Sequence, residues 1–116
     1  MNYVNCEKLI KVSLPAIRIA LASSLKDEYG LGQEGIAERL GITQASVSKY
    51  SNGRYSVDIA KLSKAICSTE TLKALAKEAA GAVKDYAQIW HKINTYATAK
   101  ETIDIAWKLF GSAAFE

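Results

Sequence analysis

The sequence predicts an all-α protein, and three observations support this fold class. Apolar residues recur at intervals of three and four along most of the chain, which is the spacing of helices that bury one face. Of the 116 residues, 49% are hydrophobic and only one is proline. A chain of this length and composition is long enough to bury a core, so we expect a folded helical protein rather than a disordered one.

Two helices are expected before residue 30. A weak helical pattern over residues 3–12 predicts a short first helix. Ser13 and Pro15 then mark the start of a second, because serine caps free amides and proline is tolerated in the first turn. Arg18 and Lys26 are expected on the solvated face of this helix. Its apolar stripe extends to about residue 29 and consists of Leu14, Ile17, Leu21 and Leu25.

Residues 33–52 carry the spacing of a helix-turn-helix motif, QEGIAERLGITQASVSKYSN. Two short helices are predicted, at residues 33–40 and 44–51. Ala37 stands where the helices cross closely and only a small side chain fits, and Gly41 provides the positive φ of the turn. Thr43 is expected to cap the second helix. The inward positions are Ile36, Ala37, Leu40, Ile42, Val47 and Tyr50.

The outward face of the second motif helix has the chemistry of a DNA-reading surface. Gln44, Ala45, Ser48 and Lys49 point outward, and an amide, a small residue, a hydroxyl and an ammonium suit base edges and phosphates. The alternative is a plain helical hairpin whose polar face meets only water. We favour DNA binding because the small residue, the glycine and the cap occur in register.

The segment IAERLGITQASVSKYSNGR resembles the Cro/cI (lambda-repressor-like, XRE-type) superfamily of helix-turn-helix transcription regulators. The longer runs LPAIRIALASSL and YGLGQEGIAERLGITQASVSKYSNGRY look like a group of small archaeal regulators within that superfamily. The superfamily resemblance covers about residues 14–67. It implies a lambda-repressor-like five-helix DNA-binding domain followed by a C-terminal helical extension.

The resemblance also implies roles for individual residues. Gln44 would read adenine, and Gln33 would orient Gln44 and touch a phosphate, although Gln33 is about equally explained as a helix-start residue without a partner. Asn52 and Arg54 lie in the loop that follows the DNA backbone in the superfamily. The candidate DNA-binding residues are Gln33, Thr43, Gln44, Ala45, Ser48, Lys49, Asn52 and Arg54.

A boundary is expected after Cys67, dividing a DNA-binding domain of residues 1–67 from an extension of residues 68–116. Gly53 stops the motif, and Ser56 is expected to cap a further helix over residues 57–66. Charge changes at the same boundary. The first part carries nine Lys and Arg against six acids, and the second carries six of each. This asymmetry fits a phosphate partner for the first part.

The extension is predicted to contain a single long helix from Leu72 to Ala97 with a heptad seam. Gly81 falls off the seam and is expected to be tolerated. Thr98 and Glu101 have the spacing of a capping box, which predicts a last helix over residues 99–110. The seam of the long helix is Leu72, Ala76, Ala79, Val83, Tyr86, Trp90, Ile93 and Ala97, and that of the last helix is Ile103, Trp107, Phe110 and Ala114.

The aromatic residues of these seams favour a homodimer formed through the extension. A small hairpin would hardly cover Tyr86, Trp90, Trp107 and Phe110 by itself. The alternative is that the extension packs against its own domain. A dimer would place two recognition helices on the half-sites of a palindrome.

Other functional classes find little support. His91, the single histidine, has no triad or metal motif around it, and there is no glycine-rich phosphate loop. Cys6 and Cys67 are far apart, so we expect reduced, partly buried thiols and no metal or other cofactor. No stretch predicts a membrane span, and a cytoplasmic location is expected. The expected function is a sequence-specific regulator that binds double-stranded DNA. The alternative is a helical interaction module, antitoxin-like or an adaptor.

Overall fold

The computed structural model describes residues 4–82 and 84–116, together with every side chain in those ranges except that of Ser112. Helices are the only regular structure in the described ranges, which confirms the all-α class. The elements are α1 (Cys6–Asp27), α2 (Gln33–Leu40), α3 (Gln44–Ser51), α4 (Val57–Cys67), α5 (Glu70–Ala80), α6 (Ala87–Ala97), α7 (Lys100–Phe110) and a terminal 3-10 helix (Ser112–Phe115). None of the described helices has the length and apolar character needed to cross a membrane.

The first helix is longer than the sequence predicts. The two helices expected before residue 30 form one helix, α1, which runs through Pro15, so the first 67 residues contain four described helices instead of five. Ser13 does not cap a helix start. It is buried, and its hydroxyl donates to the carbonyl of Ala97 at the end of α6, 2.8 Å away. Burial of one continuous stripe on both sides of Pro15 outweighs the backbone hydrogen bond that proline removes.

The long helix predicted over residues 72–97 is wrong, because α5 ends at Ala80 and α6 begins at Ala87. Gly81 takes an extended conformation, and the carboxylate of Asp85 accepts from the amide of Ala87 as α6 starts. The break lets each helix bury its own face, including Leu75, Ile89 and Tyr96, which are outside the predicted seam. The predicted seam residue Val83 lies outside the described residues.

The predicted capping box at the start of the last helix is also wrong. Ala99 occupies the N-cap position of α7 and makes no side-chain capping bond. Glu101 instead accepts a hydrogen bond from the Thr71 hydroxyl at 2.7 Å, so a tertiary contact replaces the local one. On α7 the fully buried residues are Thr102 and Ala106, whereas Ile103, Trp107 and Phe110 are half-buried.

The C-terminal helices pack on the same chain. The buried apolar side chains of α1 to α4 and those of α5 to α7 form one continuous core. Leu21, Leu62 and Leu72 are all almost completely buried within it. Of the two alternatives for the extension, packing against its own chain is therefore observed. This packing places α5 and α6 directly beside the motif helix α2.

Candidate nucleic-acid interface

The turn between α2 and α3 has the geometry that the motif requires. Gly41 adopts φ 69° and ψ 35°, the left-handed conformation in which glycine carries no Cβ penalty. Its amide donates to the carbonyls of Ala37 and Glu38, and the Ile42 amide donates to the Ala37 carbonyl at 3.0 Å. Ala37 itself is buried, as predicted. The turn thus satisfies the carbonyls of Ala37 and Glu38 near the end of α2.

The second helix of the motif, α3, is fixed at its start and along its inner face. The Thr43 hydroxyl accepts from the Ser46 amide at 3.1 Å and donates to the Ser46 hydroxyl at 3.0 Å, so Thr43 is the cap that the sequence predicts. Val47 is almost completely buried and points to the core. Because Val47 fixes the inner face of α3, the outer face carries exposed residues, namely Gln44, Ala45 and Lys49.

The remaining candidate residues lie around the same helix. Ser48 is half-buried, and Thr43 is exposed in front of α3. Gln33 is the first residue of α2 and is exposed. Gln44 is exposed as well, and the orienting contact between Gln33 and Gln44 stays a prediction.

The loop after α3 presents two exposed polar residues. The Asn52 amide donates to the Ser48 carbonyl at 3.0 Å, and the Arg54 amide donates to the Lys49 carbonyl at 3.0 Å. Gly53 takes φ 68°, which reverses the chain between them. Both Asn52 and Arg54 are exposed, and the Ser56 hydroxyl then caps α4 by accepting from the Ile59 amide, as predicted.

The basic side chains of this region divide into two kinds. Lys49 and Arg54 make no ion pair with any acidic group that the structure describes. Arg39, also in the motif, is held by the fold. Its Nε donates to the Ala79 carbonyl at 2.9 Å, and its guanidinium stands 5.3 Å from the ring centre of Tyr86. Lys49 and Arg54 are therefore free to bind an anion, whereas Arg39 joins α2 to the C-terminal helices.

Trp90 on α6 completes the contact between the C-terminal helices and the motif. Its indole Nε1 donates to the Arg39 carbonyl at 3.0 Å. A Cβ added at Gly41 would lie only 2.7 Å from the indole ring, so glycine is required there by space as well as by φ. The sequence offered no local signal for this contact, because 51 residues separate the two partners.

A cavity of about 520 Å³ lies between α1, α2, α3 and α4. Gln33, Tyr50, Tyr55 and Cys67 are among its lining residues. Partial burial of the thiol, followed by the charges of Glu28 and Asp27, raises the pKa of Cys67, although the residue as a whole is exposed. The neutral thiol is therefore favoured over the nucleophilic thiolate at this position.

The two cysteines and the histidine do not form a site in the described ranges. Cys6 and Cys67 are free thiols and both are exposed, which is more open than the partly buried positions expected. His91 is exposed on α6. No group of metal-binding side chains is found among the residues that the structure describes.

Comparison with known proteins agrees with this geometry. Residues 23–68 match the model of the Helix-turn-helix family, a stretch that contains α2, α3 and α4 and less than half of the chain. The match supports a DNA-binding helix-turn-helix domain of the Cro/cI-like kind in this part of the molecule. No match was found to a curated protein or to a solved structure.

Proposed function

We propose that the protein is a sequence-specific transcription regulator that binds double-stranded DNA with α3 in the major groove. The observation that supports this most directly is the outer face of α3. Its polar side chains, Gln44 and Lys49, are exposed without internal partners in the described structure, while Val47 fixes the opposite face in the core. A rigid helix with unused donors and acceptors suits base-edge readout.

The proposed contacts of α3 follow from side-chain chemistry. The carboxamide of Gln44 offers the donor and acceptor that adenine presents in the major groove. Ala45 would meet a thymine methyl group, and Ser48 would bond to a base edge. Lys49 would bind a phosphate or a guanine. These assignments predict which positions carry specificity.

The proposed phosphate contacts surround the helix. Gln33 lies at the start of α2, Thr43 lies directly before α3, and Asn52 and Arg54 lie in the loop after it. Phosphate contacts set the register of a protein on the duplex, whereas base contacts carry the sequence information. Positions on both sides of α3 would hold the helix along the groove. Such a regulator would act in the cytoplasm, where bacterial and archaeal DNA lies.

We propose further that two copies bind a palindromic operator. A helix of eight residues is about 12 Å long and reads only a few base pairs, so a second copy adds the other half-site. The inner faces of the C-terminal helices are buried within their own chain. A dimer would therefore use apolar side chains that remain exposed, such as Ile10 and Leu109.

Salt-dependent binding of a fluorescent duplex tests this proposal. The logarithm of the association constant should fall linearly with the logarithm of salt concentration, because each phosphate contact releases counterions. Arg54→Gln should reduce the steepness by about one unit. Lys108→Gln, an exposed change on α7, is the matched control and should leave the slope unaltered. Absence of binding at low salt would favour the interaction module instead.

A further inference from the structure

A second, smaller pocket lies on the side of the motif that faces the C-terminal helices. Its volume is about 200 Å³, and it lies between α1, the end of α2 and α6. Leu40 and Ile93 are buried and form its apolar side. The remaining lining residues are Arg18, Gly41, Trp90 and Asn94, none of which is a candidate DNA-contact residue.

Arg18 is the unusual side chain in this pocket. It is half-buried, and its Nε is buried without a hydrogen-bond partner anywhere in the described structure. No described carboxylate lies within ion-pair distance of it. A guanidinium remains charged at any physiological pH, and a desolvated charged donor without an acceptor is unfavourable. Nε itself is closed off, but the terminal nitrogens of Arg18, which also make no hydrogen bond to a described residue, remain accessible to an acceptor in the pocket.

Arg39, by contrast, has hydrogen-bond partners for its guanidinium group. Nε of Arg39 donates to Ala79, and one terminal nitrogen donates to the Gly35 carbonyl at 3.2 Å. Its guanidinium also contacts the face of Tyr86. Arg18 has no such set of partners among the described residues, although it lies close to the same turn.

The other polar group of the pocket is a second donor. Nδ2 of Asn94 donates one hydrogen to the Trp90 carbonyl at 2.8 Å and retains another. The indole Nε1 of Trp90 is already bonded to Arg39. The lining contains no acidic residue. A cation and an amide donor without a competing carboxylate favour an oxyanion, for which arginine has matching planar geometry.

We propose that the Arg18 pocket binds one oxyanionic group, a phosphate or a carboxylate, and that its occupancy stiffens the turn before α3. The pocket is smaller than the usual cavity for a drug-sized ligand, which is about 300–1,000 Å³, so it suits a single small group. Trp90 lines the pocket and also contacts both Gly41 and the Arg39 carbonyl. Binding beside Trp90 would therefore restrict the turn. A stiffer turn would also change DNA binding by α3, and this consequence rests on the proposed function. The inference that the pocket binds an anion does not rest on it.

Titration of the full chain with inorganic phosphate, and separately with acetate, tests the site. Amide and indole NMR signals are followed at constant ionic strength. Saturable shifts should concentrate at Gly41, the Trp90 indole and the Asn94 side chain, while the Trp107 indole serves as an internal reference. Arg18→Gln should weaken phosphate binding about tenfold or more, because a charged hydrogen-bond partner is lost. Lys108→Gln removes an exposed charge elsewhere and should not change the binding.

Shifts that do not saturate, or that are the same in Arg18→Gln and in the parent, would overturn the proposal. If Arg18→Gln does not fold, as judged by circular dichroism, Arg18→Lys replaces it and should bind phosphate more weakly than the parent. The titration of the parent alone is also decisive. If it shows no localised, saturable shift at Gly41 and Trp90, the site does not exist.

A DNA-binding experiment distinguishes two possible sources of the oxyanion. If the group is a backbone phosphate of DNA, Arg18→Gln should lower the salt slope of DNA binding by about one unit. If the group belongs to a free molecule, the slope should stay the same, and phosphate should change DNA affinity in the parent but not in Arg18→Gln. Phosphate binding without any DNA binding would support the pocket and contradict the proposed function.

Discussion

At the scale of single residues, the motif separates side chains that hold the fold from side chains that remain available. Arg39 contacts Ala79 and Tyr86, and Gly41 packs against Trp90. Gln44 and Lys49, only a few positions further along, are exposed. Since the first group fixes the position of α3 and the second projects from it, substitutions in the two groups should have different effects.

Gln44→Ala should lower affinity for a selected operator while leaving stability unchanged. Loss of one good base contact corresponds to about 1–3 kcal/mol of binding free energy. The helix keeps its cap and its buried Val47, so the thermal midpoint should not move. Fluorescence anisotropy and thermal unfolding measure the two quantities. Gln88→Ala, the same change at an exposed position on α6, is the control. Equal affinity of Gln44→Ala and the parent would show that the reading face is assigned wrongly.

Gly41→Ala should destabilise the protein more than Gly53→Ala. Both glycines have φ near 70°, so both changes should lower the free energy of unfolding by about 1–2 kcal/mol because alanine disfavours the left-handed conformation. A Cβ at Gly53 would meet open space, whereas a Cβ at Gly41 would collide with Trp90. The total loss of unfolding free energy in Gly41→Ala should therefore be about 2–4 kcal/mol. Urea unfolding measures both. The difference should vanish in a Trp90→Ala background. If it persists there, the indole is not the obstacle.

At the scale of elements, local signals identified α2, α3 and α4 and failed for the C-terminal helices. The caps at Thr43 and Ser56 and the turn at Gly41 each depend on residues within four positions, so the sequence could predict them. The break after Ala80 depends on burial of Leu75 and Ile89 against distant helices. Spacing alone does not contain that information.

The same distinction explains α1 and the outcome for the candidate interface. Ser13 looks like a cap in sequence, but its partner Ala97 is 84 residues away. The exposed positions of Gln44, Ala45 and Lys49 follow from helical periodicity and could be predicted. The Trp90 contact and the Arg18 pocket join residues from three helices, so only the folded arrangement reveals them.

Ser13→Ala should destabilise the contact between α1 and α6. The substitution leaves the buried carbonyl of Ala97 without its donor, which corresponds to about 1–3 kcal/mol of unfolding free energy. Ser23→Ala removes a hydroxyl on the exposed side of α1 and should change stability by less than about 0.5 kcal/mol. Urea unfolding of both variants provides the comparison. Similar effects at the two positions would mean that the buried hydrogen bond is not important.

Tyr96 links the C-terminal helices and makes their packing sensitive to alkaline pH. Its hydroxyl bonds to Thr69 at 2.9 Å, and burial, aided by the charge of Glu101, raises the pKa of the phenol. The neutral phenol is therefore favoured in the folded state. Its contribution to stability is complete below the unfolded pKa of about 10 and is lost as pH rises through the folded value.

Tyr96→Phe should accordingly flatten the decline of stability at alkaline pH. The variant cannot ionise at this position, although it starts less stable because the bond to Thr69 is lost. Unfolding free energies measured from about pH 9 to 11 in the parent and the variant show the difference. Tyr29→Phe, at a position that is 41% exposed, is the control. An unchanged pH slope in Tyr96→Phe would show that another group dominates this range.

At the scale of the whole molecule, one core joins the motif to the C-terminal helices. Buried side chains from α1, α4 and α5 to α7 belong to the same cluster. Because Trp90 and Arg39 connect the two parts directly, loosening the C-terminal helices should also loosen the motif. A single core of this size is expected to unfold cooperatively.

Urea unfolding should therefore give one transition by two independent signals. Both tryptophans lie within residues 68–116, so their fluorescence reports the C-terminal helices and, through Trp90, the contact of these helices with α2, whereas far-ultraviolet circular dichroism reports all helices. The two curves should coincide. A separate, earlier fluorescence transition would mean that the C-terminal helices unfold independently of the motif.

The most direct test of the central claim is selection of bound sequences from a pool of random duplexes with the full-length chain, together with the mass of the selected complex. The account predicts enrichment of a palindromic consensus and two protein copies per duplex, with half-sites about one helical turn apart. The consensus should lose one position in each half-site when Gln44→Ala replaces the parent. Absence of any enriched sequence would contradict the account and would favour an interaction module.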